Sequence, residues 1–441
     1  MKVVKTFPKG GIHPHGRKHL TNKKEIVKAD IPDTLVVPMS QHLGAPAEAV
    51  VVAGDEVTEG MLIGKPTGFI SAAIHSPVDG TVKEITDIFL VNGMKSKAVV
   101  IEKKEGFVPS EKEKSDEWKS KTPAELNDMI KELGIVGMGG ATFPANVKYA
   151  VPKGAKAEYL IINAVECEPY LSADHRVMLE KTSEILEGIR IIQKIVNPEK
   201  IAIGIEINKP DAIEIMKKQA AAENLDLEVV SLKLKYPQGD EKQLIKAITG
   251  REVPSGKLPI EVGCVVSNVG TVNAVYEAIV KNKPLYERVV SVSGLGIKNP
   301  GNILARVGTP IKQLIDACGG MIDNPAKVVA GGPMMGFTFY DLETPVTKGT
   351  SGILVLTDKE VAAGPQSACL SCGKCISVCP MGLNPTKMFK YIDHSDYSGA
   401  MEIGLMDCKE CGCCAFTCPS HIPLVQGMRV GKKMARKKKV S

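Results

Sequence analysis

Between Thr34 and Glu102 the chain alternates short β-rich runs with Gly and Pro: TLVVPM, AEAVVVAGDEV, GMLIGKP, IHSPVDGTVKEI and AVVIEKK. Runs this short, bounded by turn residues, predict a small all-β domain over residues 34–105. It follows an N-terminal segment, residues 1–33. A charged linker, EGFVPSEKEKSDEWKSK, leads to a helix whose start is marked by Thr122 as cap, Pro123 at the first helical position and Glu125 three residues on. From there β-rich segments (EYLIINAV, KIAIGIEI, LEVVSLKL) alternate with helix-like ones (HRVMLEKTSEILEGIRIIQKIV, PDAIEIMKKQAAAEN, DEKQLIKAITG). That alternation predicts an α/β domain with a parallel or mixed sheet, residues 121–285. Residues 286–340 read as two short strands followed by a helix opening at Thr309-Pro310. A connecting strand segment, 341–366, leads to a cysteine-rich region at 367–425, and a basic tail, 426–441, ends the chain.

The pattern as a whole is multidomain α+β. The segments AGDEVTEGMLIGKPTG and SPVDGTV resemble the two halves of a barrel-sandwich hybrid of the lipoyl type. The turn that would carry the prosthetic arm has no lysine and reads SAAIHSPVDG. A scaffold without a swinging arm is expected, with His75 a turn residue rather than a ligand. Residues 286–340 look like a β-grasp, soluble-ligand-binding module. Its Gly294-Leu295-Gly296 turn does not open a helix after a strand, so a dinucleotide fingerprint is not read there.

Composition narrows the classes. With 44% hydrophobic residues the chain is globular rather than disordered, and its longest hydrophobic run, Ala49–Ala53, is far too short to cross a bilayer. The first residues have no apolar stretch of secretory type. The cytoplasm, or the cytoplasmic face of the membrane, is the expected compartment. Of the +6 net charge, the last 13 residues supply seven cations and no acid, which leaves a nearly neutral body. No nucleic-acid partner is expected. The tail reads as a frayed, solvated terminus or as a contact for phosphates and acidic headgroups.

Nine of the 12 cysteines lie between Cys369 and Cys418. Cys369, Cys372, Cys375 and Cys379 make C-x2-C-x2-C-x3-C before Pro380, and Cys408, Cys411, Cys414 and Cys418 repeat it before Pro419. This is the spacing of a two-cluster ferredoxin, in which the fourth cysteine of each run ligates the other cluster. One [4Fe–4S] cluster is therefore assigned to Cys369, Cys372, Cys375 and Cys418, and the other to Cys408, Cys411, Cys414 and Cys379. The long, helix-like segment between the runs predicts a helical variant of the domain. Zinc favours separated C-x2-C pairs and fits this spacing poorly. Cys413 lies outside the pattern.

One-electron centres need a donor. Gly137-Met138-Gly139-Gly140-Ala141-Thr142-Phe143-Pro144 is a glycine-rich turn able to approach a ring or a phosphate closely. By itself such a turn is also a plain tight connection. Three further blocks follow in order: Asn163, Ala164, Glu166, Glu168 and Pro169; Tyr236, Gly239, Asp240 and Glu241; and Ser267, Asn268, Val269, Gly270 and Thr271. In this series the chain resembles the flavin-binding subunit of respiratory complex I. The resemblance implies FMN held by Gly137, Gly139, Gly140, Lys148, Asn163, Asn268 and Thr271, and NAD(H) read at its ribose by Glu166 and Glu168. Phe143, Tyr236, Gly239, Asp240, Glu241 and Ser267 join the cofactor-binding set. Thr142, Val165, Cys167 and Gly270 depart from the family's pattern. Cys167 lies between two acids that raise its pKa, so it is not read as a nucleophile.

With an N-terminal hybrid domain, a dicluster domain, GGIHP at Gly10–Pro14 and GGPMMG at Gly331–Gly336, the chain looks like the C subunit of the Rnf complex, in the family of ion-translocating ferredoxin:NAD+ oxidoreductases. That resemblance implies a peripheral NAD(H)-oxidoreducing subunit, partnered by membrane subunits that carry flavin and iron–sulfur centres. No side chain need act as catalytic acid or base, since hydride transfer belongs to the FMN. Two other readings stay open: a cobalamin reductase-like flavin and iron–sulfur enzyme, and a non-catalytic relay or docking subunit.

Overall fold

The computed structural model describes residues 4–361 and 364–438. Residues 34–103 form two antiparallel sheets. One runs in the spatial order Thr34–Pro38, Lys95–Lys103, Gly80–Phe89, Glu56–Val57; the other comprises Glu48–Ala49, Leu62–Lys65 and Ile74–His75. Alternate residues of each strand turn inward, so Leu35, Val37, Ile63, Ile74, Val82, Val99 and Ile101 build a single core. His75 corrects one expectation. It ends a short buried strand instead of sitting in a turn, and burial, with the nearby Lys348 ammonium, pushes its pKa down to about 3.

The predicted capping box is present: Glu125 N–H donates to Thr122 Oγ1, and Thr122 N–H to Glu125 Oε2, at the head of the helix Pro123–Glu132. Beyond it lies a fully parallel four-stranded sheet in the order Glu228–Leu232, Lys200–Glu206, Tyr159–Asn163, Cys264–Asn268. Helices Ala173–Glu180, Thr182–Val196, Pro210–Ala222, Glu241–Thr249 and Val269–Lys281 cover it. The central strands Tyr159–Asn163 and Lys200–Glu206 are buried on both faces and read as continuous apolar runs for that reason, whereas the edge strand Glu228–Leu232 alternates. After Tyr159–Asn163 the chain adds two strands on one side, then crosses back to place Cys264–Asn268 on the other. The reversal opens a crevice at the carboxyl ends of Tyr159–Asn163 and Cys264–Asn268, the place where such sheets bind ligands.

The β-grasp region is wider than its sequence boundaries. Its six-stranded sheet runs Ile26–Lys28, Gly301–Arg306, Glu287–Ser293, Gly352–Leu356, Lys327–Ala330, Phe337–Phe339. One strand comes from the N-terminal segment and another from the supposed connector. Gly352–Leu356 is buried along its whole length and lies inside the sheet, which explains its unbroken ILVL. Lys348, just before it, is fully buried and donates from Nζ to the carbonyls of Ala73 and Gly134, 2.7 Å each. One ammonium thereby joins the hybrid domain, the parallel-sheet domain and this sheet, and burial pushes its pKa down to about 7.

The cysteine region is helical, as expected, with Lys374–Ser377, Pro385–Asp393, Tyr397–Glu402 and Cys413–Phe416. The basic tail is corrected. Through Lys438 it is a helix, Leu424–Lys438, whose Met428, Gly431 and Ala435 pack on Ile392 and Leu405. Lys433, Arg436 and Lys437 are exposed, whereas Lys432 is buried against the Cys408 carbonyl and Glu410, and Arg429 also pairs with Glu410. The apolar residues recur at helical spacing and bury the other side. No helix among the described residues is long and apolar enough to cross a membrane.

Candidate electron-transfer site

At the crevice, Asn163 and Asn268 stand side by side as register partners at the ends of their strands. Asn268 caps the helix Val269–Lys281, accepting from Thr271 N–H at 3.2 Å, and donates from Nδ2 to Asp174 at 2.7 Å. The glycine-rich turn folds over this helix start. Met138 N–H donates to Thr271 Oγ1 at 2.9 Å, and Gly137 N–H to the Phe143 carbonyl at 2.9 Å, which closes the turn. A Cβ on Gly139 would lie 2.6 Å from Asn268 Nδ2, so the close approach requires glycine, whereas Gly140 faces open space. From the far side Asn163 Nδ2 donates to the Gly239 carbonyl at 2.8 Å, and Lys148 pairs with Glu241 at 2.7 Å. Asp240 caps the helix Glu241–Thr249, accepting from the amides of Lys242 and Gln243.

Two residues here were not found from the sequence. Asp174 is half-buried, and desolvation of its carboxyl first, the Glu166 carboxylate second, push its pKa up to about 7. A Cβ on Gly270 would lie 3.2 Å from Asp174 Oδ1, so Asp174 places a carboxyl beside the position where the family's pattern has an acid and this chain has none. Arg288, from the adjoining sheet, is buried below the turn; it donates to the Lys348 carbonyl at 2.5 Å and reaches the Met138 carbonyl at 3.5 Å. Neither lies in a glycine-rich or cysteine motif, and no local pattern marks them.

The two carboxylates expected at a ribose are occupied by the protein itself. Glu166 accepts from Asp174 N–H at 2.8 Å and lies 3.8 Å from the Lys18 ammonium. Glu168 accepts from the amides of Met334 and Met335 at 3.1 and 3.0 Å, and burial pushes its pKa up to about 7. The N-terminal segment adds to this, because Lys18 also donates to the Glu168 and Leu171 carbonyls and ties down the 166–171 segment. Cys167 is half-buried, and desolvation of its thiol raises its pKa, followed by Glu206 and Glu168. Ser267 shares a hydrogen bond with Tyr149 at 2.7 Å, beneath the crevice.

The eight cysteines of the two runs divide as their crossed spacing predicts. Cys369, Cys372, Cys375 and Cys418 line one cavity, and Cys379, Cys408, Cys411 and Cys414 line another, together with Cys413. In each case the thiols line a cavity, the arrangement that suits a cubane.

The surroundings of the two quartets differ. In the first, Cys369 and Cys372 are exposed; in the second, Cys411 and Cys414 are buried. Burial pushes the Cys408 and Cys414 thiols up to about 11 and 12, while an amide hydrogen bond from Ser371 lowers the Cys369 thiol. GGIHP and GGPMMG both close on the second quartet. Ile12 and Tyr236 exchange two backbone hydrogen bonds of 2.9 Å, Gly11 N–H donates to the Val378 carbonyl at 2.9 Å, and Gly10 presses on the Cys379 carbonyl. A Cβ on Gly332 would overlap the Glu168 carboxylate. Tyr236, fully buried, donates its phenol proton to the Cys411 carbonyl at 2.8 Å and lies 3.3 Å from Glu168. Cys413 packs against the Tyr236 carbonyl and serves the same contact.

Family models match in succession along the chain: the RnfC barrel sandwich hybrid domain over residues 5–106, the Nuo51 FMN-binding domain over 130–277, the SLBB domain over 289–338 and the 4Fe-4S dicluster domain over 365–422. The C subunit of the proton-translocating ferredoxin:NAD(+) oxidoreductase complex of Clostridium ljungdahlii is 49% identical over 388 residues, 88% of this chain and 84% of that protein. Its counterpart in the Na(+)-translocating complex of Acetobacterium woodii is 42% identical over 427 residues, 96% of each chain. The C subunit of the ion-translocating oxidoreductase complex of Rhodobacter capsulatus is 39% identical over 435 residues, 96% of this chain and 82% of that protein.

Proposed function

Because the chain belongs to the family of C subunits of ion-translocating ferredoxin:NAD+ oxidoreductase complexes, we propose that it moves electrons between NAD(H) at the crevice and two [4Fe–4S] clusters in its helical domain. It is an electron-transfer subunit with an FMN-binding domain and a dicluster domain. When bound, FMN supplies the conversion between a hydride pair and single electrons. The chain's own residues do the rest. The amides of Gly139 and Gly140, the first amides of the helix Val269–Lys281 and the Thr271 hydroxyl offer donors to a phosphate. Asn163 and Asn268 fix the crevice floor, and Lys148, held by Glu241, adds positive charge at its rim.

The observation that carries the reading is the second quartet's contact with the crevice domain through Tyr236. It makes the Cys379, Cys408, Cys411 and Cys414 site the inner relay and the Cys369, Cys372, Cys375 and Cys418 site the outer one. The partners of the outer site are the complex's other electron-carrying subunits, and the chain sits peripherally at the cytoplasmic face of the membrane. Anaerobic reconstitution with iron, sulfide and FMN tests this. About eight irons per chain, and flavin bleaching followed by cluster reduction on adding NADH, are expected. Intact clusters that ignore NADH while dithionite reduces them would contradict it.

A further inference from the structure

The outer quartet is bordered by charge of one sign. From Val361 to Ile392 the sequence contains Lys374, Lys387 and Lys390 and no Asp or Glu. Lys374 and Lys390 line the outer cavity, whereas the inner one includes Glu410 beside Lys409. All three lysines are exposed, and among the described residues none has a carboxylate partner. Lys387 and Lys390 share one helix face, three residues apart, and the exposed Asp393, three residues further on, ends that helix. Two apolar side chains stand among these cations in the open: Leu370, 69% exposed, and Ile376, 40% exposed. Leu370 lies between Cys369 and Cys372, the two exposed thiols of the set, Ile376 follows Cys375, and both line the same cavity.

We propose that this lysine-bearing rim, with Lys374, Lys387 and Lys390 around Leu370 and Ile376, is a docking surface for an acidic protein that carries a one-electron centre. Unpaired cations around a small apolar patch match a partner whose redox centre lies under carboxylates, and such pairing steers encounter and fixes orientation. The exposed thiols put the outer cluster where the centres approach most closely. One electron crosses between the reduced and the oxidised centre; no bond forms or breaks, and no proton need move. The inference rests on assigning a cluster to Cys369, Cys372, Cys375 and Cys418. The rival role for the lysines is to offset the charge of that cluster alone.

The test compares the cluster-loaded chain with a K374Q/K387Q/K390Q variant. A plant-type [2Fe–2S] ferredoxin serves as the acidic probe and cytochrome c as the basic one. Association is measured against salt, and electron transfer is followed by stopped flow from dithionite-reduced protein, so neither NADH nor FMN takes part. Ferredoxin association at low salt is expected to weaken at least tenfold in the variant, with a shallower salt dependence and no loss towards cytochrome c. A K433Q/K437Q variant, changed on the terminal helix, is expected to bind ferredoxin like the parent. Equal ferredoxin binding by parent and triple variant, or equal loss through the terminal-helix variant, overturns the proposal. A shifted outer-cluster potential with unchanged ferredoxin affinity also overturns it and assigns the lysines to charge compensation. Iron content, measured separately, shows whether the cluster assignment itself has failed.

Discussion

The two cysteine quartets share one spacing and almost nothing else. The inner one is roofed by GGIHP and GGPMMG and contacted by Tyr236; the outer one has two thiols in solvent and an unpaired cationic rim. Ligand spacing decides which cofactor can bind, and burial decides what each copy does with it. A relay between a flavin and a surface needs one end dry and one end accessible. The difference between the quartets supplies both.

The largest effect expected from breaking this contrast comes from removing one ligand of each quartet. Cys408→Ala is predicted to lose about half the iron and to lower the unfolding temperature by about 5 °C or more, because it empties a site that other domains pack against. Cys372→Ala should lose as much iron with little change in unfolding. Calorimetry with iron analysis compares them, and equal destabilisation would erase the structural distinction.

Next is Gly332→Ala, whose methyl must displace the buried Glu168 carboxylate from the Met334 and Met335 amides. A loss of about 1–3 kcal/mol in urea unfolding is expected. A similar change at Gly16, which has open space around it and, like Gly332, no left-handed backbone, isolates the packing part of the cost.

Tyr236→Phe is subtler. It removes the phenol proton from the Cys411 carbonyl and with it a dipole pointing at the inner quartet. In a potentiometric EPR titration the inner cluster should move to lower potential by up to about 59 mV, a tenfold change for one electron, while the outer cluster stays in place. Equal shifts of both would deny that Tyr236 acts locally.

The smallest effect concerns pH. Asp174 carries a proton below about 7 and a charge above it, and it adjoins Asn268 and Gly270. The neutral form favours an anionic phosphate, so FMN affinity should fall as pH rises from 6 to 8, by about tenfold at most for one unit of ionisation. Asp174→Asn should flatten that profile. The outer quartet's properties should not respond over the same range.

The chemistry was legible where it depends on local spacing. The crossed quartets follow from two runs of cysteines, and the crevice from a glycine turn followed by strands ending in Asn163 and Asn268. What depends on distant packing was not. Glu166 and Glu168 look free in NAVECEP, yet Lys18, some 150 residues away, ties down their segment. Gly352–Leu356 reads as a connector because nothing local shows that it lies inside a sheet. The terminal helix hides its buried stripe, Met428, Gly431 and Ala435, among cations, and Arg288 carries no motif at all. Tyr236 was found as a member of the crevice motif, but its phenol serves Cys411, about 175 residues on.

Electrons from the crevice pass the inner quartet before the outer: that order is the central claim. The most direct test mixes NADH with FMN-loaded Cys408→Ala protein that retains the outer cluster, and follows that cluster by EPR. NADH is predicted no longer to reduce it, although dithionite does. Reduction by NADH at the parent's rate, with the inner cluster gone, would contradict the claim.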